Sequence, residues 1–176
     1  MTVRWDTIAN VATTMMCVVV IYAVSDRLIF SKSIKTGATG YRIGQQLTGS
    51  MAELPVDNSR VTAIVVVTSS CRYCSESTSF YRELLALESQ ARPGDFKTVF
   101  VGFMGSEDAE AFVTKNDLQG SSVAPTPKEL RVHIDATPTL LLVDEDKRIV
   151  GSWVGKLTED DEKDVVSTVN AVLKYR

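Results

Sequence analysis

Histidine and cysteine are scarce in this chain of 176 residues: one His and three Cys. Three cysteines cannot build a disulfide framework, and with a single histidine they barely reach the ligand count of a structural zinc site. Strong charge of either sign is also missing. A net charge of −3, with no interleaved basic and aromatic stripe, gives no electrostatic footprint for nucleic acid. There are no internal repeats and no low-complexity tracts. With 44% apolar and 23% charged residues, the composition is that of one globular domain of ordinary size with a short appendage. No cofactor-binding or metal-binding pattern stands out.

The apolar residues crowd toward the start of the chain. Nineteen uncharged residues lie between Asp6 and Asp26, densest from Met15 to Val24. That is close to the ~20 residues a helix needs to cross a hydrocarbon core. A buried core helix would be apolar all round and would precede any partner element, so residues 7–25 are read as a segment entering the lipid bilayer. Trp5 and Tyr22 stand toward its two ends, where amphipathic rings favour the interface. Ala23-Val24-Ser25 has the small residues a signal peptidase prefers, but the length of the stretch favours a retained anchor. Cys17 lies inside it and reads as an inert thiol. The expected organisation is an anchor over 1–25, a linker over 26–42, and a folded domain over 43–176.

The rest of the chain is organised around Thr68-Ser69-Ser70-Cys71-Arg72-Tyr73-Cys74. Val61 to Val67, continuously apolar and too short for an amphipathic helix, predicts a strand buried on both faces. A helix is expected to open at the cysteines, with Phe80, Leu84 and Leu87 on one face, Tyr81 and Leu85 widening it, and Ala91-Arg92-Pro93-Gly94 stopping it. Lys97 to Phe103 is a second strand, so this β-α-β run implies a right-handed crossover between parallel neighbours. Ser106 is the expected N-cap of a helix that carries Glu107 and Asp108 in its first turn and ends between Asn116 and Gly120. Ser121 to Lys128, with Pro125 and Pro127, reads as a loop, and Glu129 to His133 as a helical turn. Thr139 to Val143 and Arg148 to Val154 form a hairpin across Asp144-Glu145-Asp146-Lys147. Thr158-x-x-Asp161 opens a last helix with Val165, Val166, Val169, Val172 and Leu173 inward.

Two cysteines separated by two residues at the mouth of a helix can close a small disulfide ring and reopen it. The same spacing is half of a zinc site, but the further ligands would have to be His133 and Cys17. Together, the order β-α-β-α-β-β-α, the Cys71-Arg72-Tyr73-Cys74 motif at a strand-to-helix junction, and Thr137-Pro138 before the third strand resemble the thioredoxin superfamily. Within it, the chain is most similar to membrane-anchored extracytoplasmic thioredoxin-like proteins that assist cytochrome c maturation or other disulfide reduction. The resemblance covers residues 43–176 and implies an α/β thioredoxin-like fold, a central mixed β-sheet flanked by helices, here preceded by one transmembrane helix. It implies a thiol-disulfide oxidoreductase with a redox-active disulfide, a cis-proline at Pro138 facing the cysteines, and Thr137-Pro138 as one wall of the substrate groove.

The expected catalytic residues are Cys71 and Cys74. Cys71, at a helix N-terminus beside Arg72, has its thiolate favoured and attacks; Cys74, one turn further, resolves. Arg72 is the pKa-tuning residue, and Tyr73, facing outward, contacts partners together with Thr137 and Pro138. The expected partners are proteins carrying disulfides or thiols, a membrane or soluble electron donor, and the bilayer. Flanking charge (Arg4 and Asp6 before the segment; Arg27, Lys32 and Lys35 after it) would place the domain in the cytoplasm, whereas redox chemistry places it on the extracytoplasmic, periplasmic face. The second expectation is taken.

Departures from thioredoxin are plain. Ser70 replaces the tryptophan before the first cysteine, Arg72-Tyr73 replaces Gly-Pro, and Val65 stands where many thioredoxins carry a buried acid. Glu76 could substitute as proton acceptor, although a first-turn acid favouring the helix dipole is the simpler reading. His133 reads as a surface or capping residue and Trp153 as core packing. Thr68-x-x-Cys71 is also similar to the spacing in peroxiredoxins, although Ile64 stands where that family has a proline. Alternatives to the oxidoreductase are thus a thiol-dependent peroxidase of the same fold and a tethered interaction subunit with a structural Cys71-Cys74 disulfide.

Overall fold

Seven consecutive apolar or β-branched residues, Val61–Val67, form strand β1, and every one of them is buried. Such a run survives in a strand only where both faces are covered, and β1 occupies the middle of the sheet. In the computed structural model, which describes residues 41–49, 54, 59–128 and 133–174, the sheet has the order β3-β2-β1-β4-β5. Its strands are β2 (Phe96–Gly102), β3 (Ser122–Ala124), β4 (Thr139–Asp144) and β5 (Ile149–Val154). β1 pairs parallel with β2, and β2 with β3; β1 pairs antiparallel with β4, and β4 with β5, so the sheet is mixed. The described residues all fall within one unit, Lys35–Arg176.

Alternation along β1 divides the core. Val61, Ala63, Val65 and Val67 join Phe80 and Leu84 of α2 (Thr78–Gln90), Ala109 and Phe112 of α3 (Ser106–Lys115), and Val165 and Val169 of α4 (Glu159–Lys174). Ile64 and Val66, pointing the other way, meet Tyr41, Leu47, Leu54 and Ile134. The early segment also lengthens the hairpin. Gly44 N–H donates to the Ile149 carbonyl (2.8 Å), Ile149 N–H to that of Gln45 (2.9 Å), and Leu47 N–H to that of Lys147 (2.8 Å).

Three expectations need correction. The helix after the cysteines is two helices, α1 (Arg72–Glu76) and α2, divided at Ser77. Here the Ser77 hydroxyl donates to the Tyr73 carbonyl (2.9 Å) and the Thr78 hydroxyl to that of Ser75 (2.7 Å), and such local bonds compete with the helical ladder. Second, the N-cap of α3 is Gly105, and Ser106 is already helical. Gly105 takes a φ of 153°, which favours glycine, and its carbonyl accepts the Asp108 N–H at 3.1 Å while packing where a Cβ on Gly102 would collide with it. Third, Ser122–Ala124 is an edge strand rather than loop, paired to Val99–Val101 of β2. Three residues show no periodicity of their own; β2 imposes the extended form. Just before this pairing begins, the Glu88 carboxylate accepts the Thr98 N–H at 2.8 Å.

The capping of α4 follows the expectation from Thr158-x-x-Asp161. Thr158 Oγ1 accepts the Asp161 N–H at 3.2 Å, and the Asp161 carboxylate accepts the Thr158 hydroxyl (2.7 Å) and N–H (3.3 Å). The expected turn at 129–133 lies, except for His133, outside the described residues, as does the expected transmembrane segment at 7–25. Among the described residues no helix is long and apolar enough to cross a membrane.

Candidate active site

β1 and β4 run antiparallel with Val66 opposite Thr139, so the C-terminal end of one strand and the N-terminal start of the other share an edge of the sheet. The turn after β1 carries Cys71, and the segment before β4 carries Thr137 and Pro138. Cys71 and Cys74 are joined as a disulfide, with Cα atoms 5.2 Å apart. Cys71 is the N-cap of α1, and its Sγ accepts the Cys74 N–H at 3.1 Å, the bond a capping side chain makes to a helix's unpaired donors. Cys71 is half-buried; Cys74 is wholly buried against β1 and α2.

The Thr137-Pro138 peptide is cis. The carbonyl oxygen of Thr137 lies 3.4 Å from Cys71 Sγ, and its hydroxyl is 3.4 Å from that of Thr68. Pro138 is buried, and its carbonyl accepts the N–H of Gly155, from the turn after β5, at 2.7 Å. The structure thus brings Cys71, Cys74, Thr137 and Pro138 together. Tyr73 projects outward, 57% exposed.

Arg72 pairs with Glu76 at the end of the same helix: Nε to Oε1 is 2.7 Å, and the side chain is 86% exposed. The other oxygen of Glu76 takes Lys156 Nζ at 3.0 Å. The hydrogen bond from Arg72, and then that from Lys156, hold the Glu76 carboxyl below the usual carboxylate range. Glu76 closes α1 instead of lying in the first turn of a long helix, and an ion-paired carboxylate is a poor proton acceptor. Val65, where an acid would otherwise stand, is fully buried in the core. Trp153 is packed as expected, its ring over Gly151, where a Cβ would collide with it. His133 packs its ring against buried Tyr41, centroids 4.9 Å apart.

Two features escaped the sequence reading. Lys156 joins the site through Glu76 from eighty positions away. Asp108, expected only as an acid in the first turn of α3, reaches back to the turn that carries Cys71. Neither pairing leaves a local signal, because the partners come from elements distant along the chain.

No family model matches the chain, and no curated protein matches it in sequence. Solved structures do. The chain is similar to a candidate thiol:disulfide interchange protein DsbE from Chlorobium tepidum, at 21% identity and TM-score 0.56 over 80% of this chain and 99% of that one. It is similar to a candidate protein disulfide isomerase from Bacteroides thetaiotaomicron, at 18% identity and TM-score 0.59 over 78% and 95%. A thiol-disulfide isomerase from Corynebacterium glutamicum aligns at 12% identity and TM-score 0.53 over 77% and 93%. Likeness at these identities is likeness of fold, and with the mixed sheet, the disulfide at the mouth of α1 and the cis Thr137-Pro138 peptide beside it, the chain has the thioredoxin-like fold.

Proposed function

We propose that the chain is a membrane-tethered thiol-disulfide oxidoreductase that exchanges disulfides with protein partners through Cys71 and Cys74. The observation that carries this reading is the asymmetry of the pair, one sulfur on a half-exposed N-cap beside Thr137 and the other wholly buried one turn further on. A partner can reach the first; only the first can be reached by the second.

In the reduced state the Cys74 N–H favours the thiolate of Cys71, which attacks one sulfur of a partner disulfide. The partner's other sulfur leaves with the bonding electron pair and takes a proton from solvent. Cys74, losing its proton to water, then attacks Cys71 Sγ; the mixed disulfide breaks, the Cys71–Cys74 bond forms, and the partner's second thiol is released. Two electrons pass from the pair to the partner, and an electron donor, soluble or in the membrane, restores the dithiol. Run backwards, the same steps oxidise a partner. An extended partner segment pairs with the Thr137 backbone as with an edge strand, Pro138 offering no N–H to compete, and Tyr73 meets the partner from the other side.

The membrane part of the proposal rests on the apolar composition of residues 7–25, and placement of the domain on the extracytoplasmic face rests on where exchangeable disulfides persist. The test is trapping. In membranes from the native host, Cys74→Ser accumulates mixed disulfides through Cys71, identified by mass spectrometry, and Cys71→Ser accumulates none. If neither variant forms them, the exchange reading fails. Protease protection of the intact chain checks the face, and cleavage from the cytoplasmic side would overturn that placement.

A further inference from the structure

The turn that carries Cys71 is held by α3. After β1, the Cys71 N–H donates to the Thr68 carbonyl at 3.0 Å, which makes Ser69 and Ser70 the central residues of a turn. That bond uses nothing of the Ser69 peptide. Asp108, in the first turn of α3, accepts the Ser69 N–H on Oδ1 at 2.7 Å, the short end of the range and characteristic of a charged acceptor. Lys115, in the last turn of the same helix, donates from Nζ to the Ser69 carbonyl at 3.3 Å. Positions 108 and 115 are seven apart, two turns along one face, so a single helix grips both polar groups of one residue.

A first-turn acid that served only the helix dipole would point its carboxylate at its own helix end or at water. Instead Oδ2 of Asp108 is buried and, among the described residues, has no hydrogen-bond partner. A half-satisfied carboxylate is costly to keep, and what it obtains here is the bond to Ser69. We infer that Asp108 is a positioning residue for Cys71: by fixing the Ser69 peptide it sets where the Cys71 Sγ sits, and so maintains the contact with the Cys74 N–H on which thiolate formation depends. α3 is anchored firmly enough to do this, because Gly102 lets its start pack directly on β2.

This inference rests on Cys71 being the exchanging sulfur, and the experiment keeps the two apart. In the full chain, the rate at which iodoacetamide alkylates reduced Cys71 is followed against pH, in a Cys74→Ser background, with and without Asp108→Ala. The expected result is an upward shift of the profile and roughly fivefold slower alkylation at neutral pH, the scale of one lost hydrogen bond to the thiolate. Asp108→Asn, which still presents an oxygen to Ser69, recovers most of that rate. Asp108→Ser keeps a small polar side chain in the first turn but ends one bond short, and serves if the alanine variant does not fold. A purely structural role lowers thermal stability and leaves the profile where it was. An unchanged profile in the folded alanine or serine variant overturns the inference, as does an asparagine variant as slow as alanine. If the protein with both cysteines shows no exchange with a dithiol, the functional reading falls and this inference with it.

Discussion

Cys71 and Cys74 have the same chemistry and different surroundings, and in the proposed exchange those surroundings divide the roles between them. Cys71 is half-buried and hydrogen-bonded as an N-cap; Cys74 is sealed in the core. In the isolated reduced protein, iodoacetamide is therefore expected to modify Cys71 first and to leave Cys74 unmodified until the fold is loosened, as peptide mapping would show. Equal labelling of both would remove the distinction between attacking and resolving sulfur. Glu76 supplies a prediction on pH. Its carboxyl is held below the usual range by Arg72 and Lys156, so its contribution to stability is present above the unfolded carboxylate range and disappears as pH falls through the folded value. Glu76→Gln should melt below the wild type at neutral pH, with the gap closing in acid and narrowing in high salt, as expected of exposed ion pairs. A gap that widens in acid would contradict the pairing. At this scale the cysteines and Thr137-Pro138 were legible because each is unusual where it stands. Asp108, Lys115 and Lys156 were not, since an acid in a first turn and two surface lysines are what any soluble chain carries.

At the scale of elements, two attachments fix helices to the sheet. Gly102 admits the start of α3, and a methyl group there must push the Gly105 carbonyl and the Ala109 nitrogen aside. Gly102→Ala is expected to cost about 2 kcal/mol in chemical denaturation, the usual scale of overpacking. The far end of α4 depends on Arg60, whose guanidinium donates to the carbonyls of Leu173 (2.9 Å) and Val172 (3.0 Å) and lies 3.7 Å from Asp95. Those carbonyls belong to the last turn, which has no intrahelical donors of its own. Arg60→Ala should cost about 1–2 kcal/mol, read as a lower denaturation midpoint. Long, strongly patterned elements such as β1, α2 and α4 could be placed from sequence. The break at Ser77 comes from local hydroxyl bonds that the apolar periodicity masks, whereas the N-cap at Gly105 and the edge strand β3 are settled by close approach to a strand and by pairing to a neighbour.

For the whole molecule, the tethering proposal has a direct physical consequence. A chain held by an apolar span is expected to stay with the membrane fraction through high salt and alkaline carbonate and to be released by detergent; release by salt alone would defeat the anchor. The apolar run at 7–25, the strand-helix-strand order and the chemistry available to Cys71 and Cys74 were determined by the sequence alone, because they depend on composition and spacing over short distances. The tertiary structure decided the rest. It set β4 antiparallel beside β1, so that Thr137 meets Cys71 across sixty-six positions; it brought Lys156 to Glu76; and it placed α3 against the Ser69 peptide. The reason is that burial of one continuous core selects which distant segments become neighbours, and the position of a reactive sulfur depends on those neighbours more than on the residues beside it in the chain.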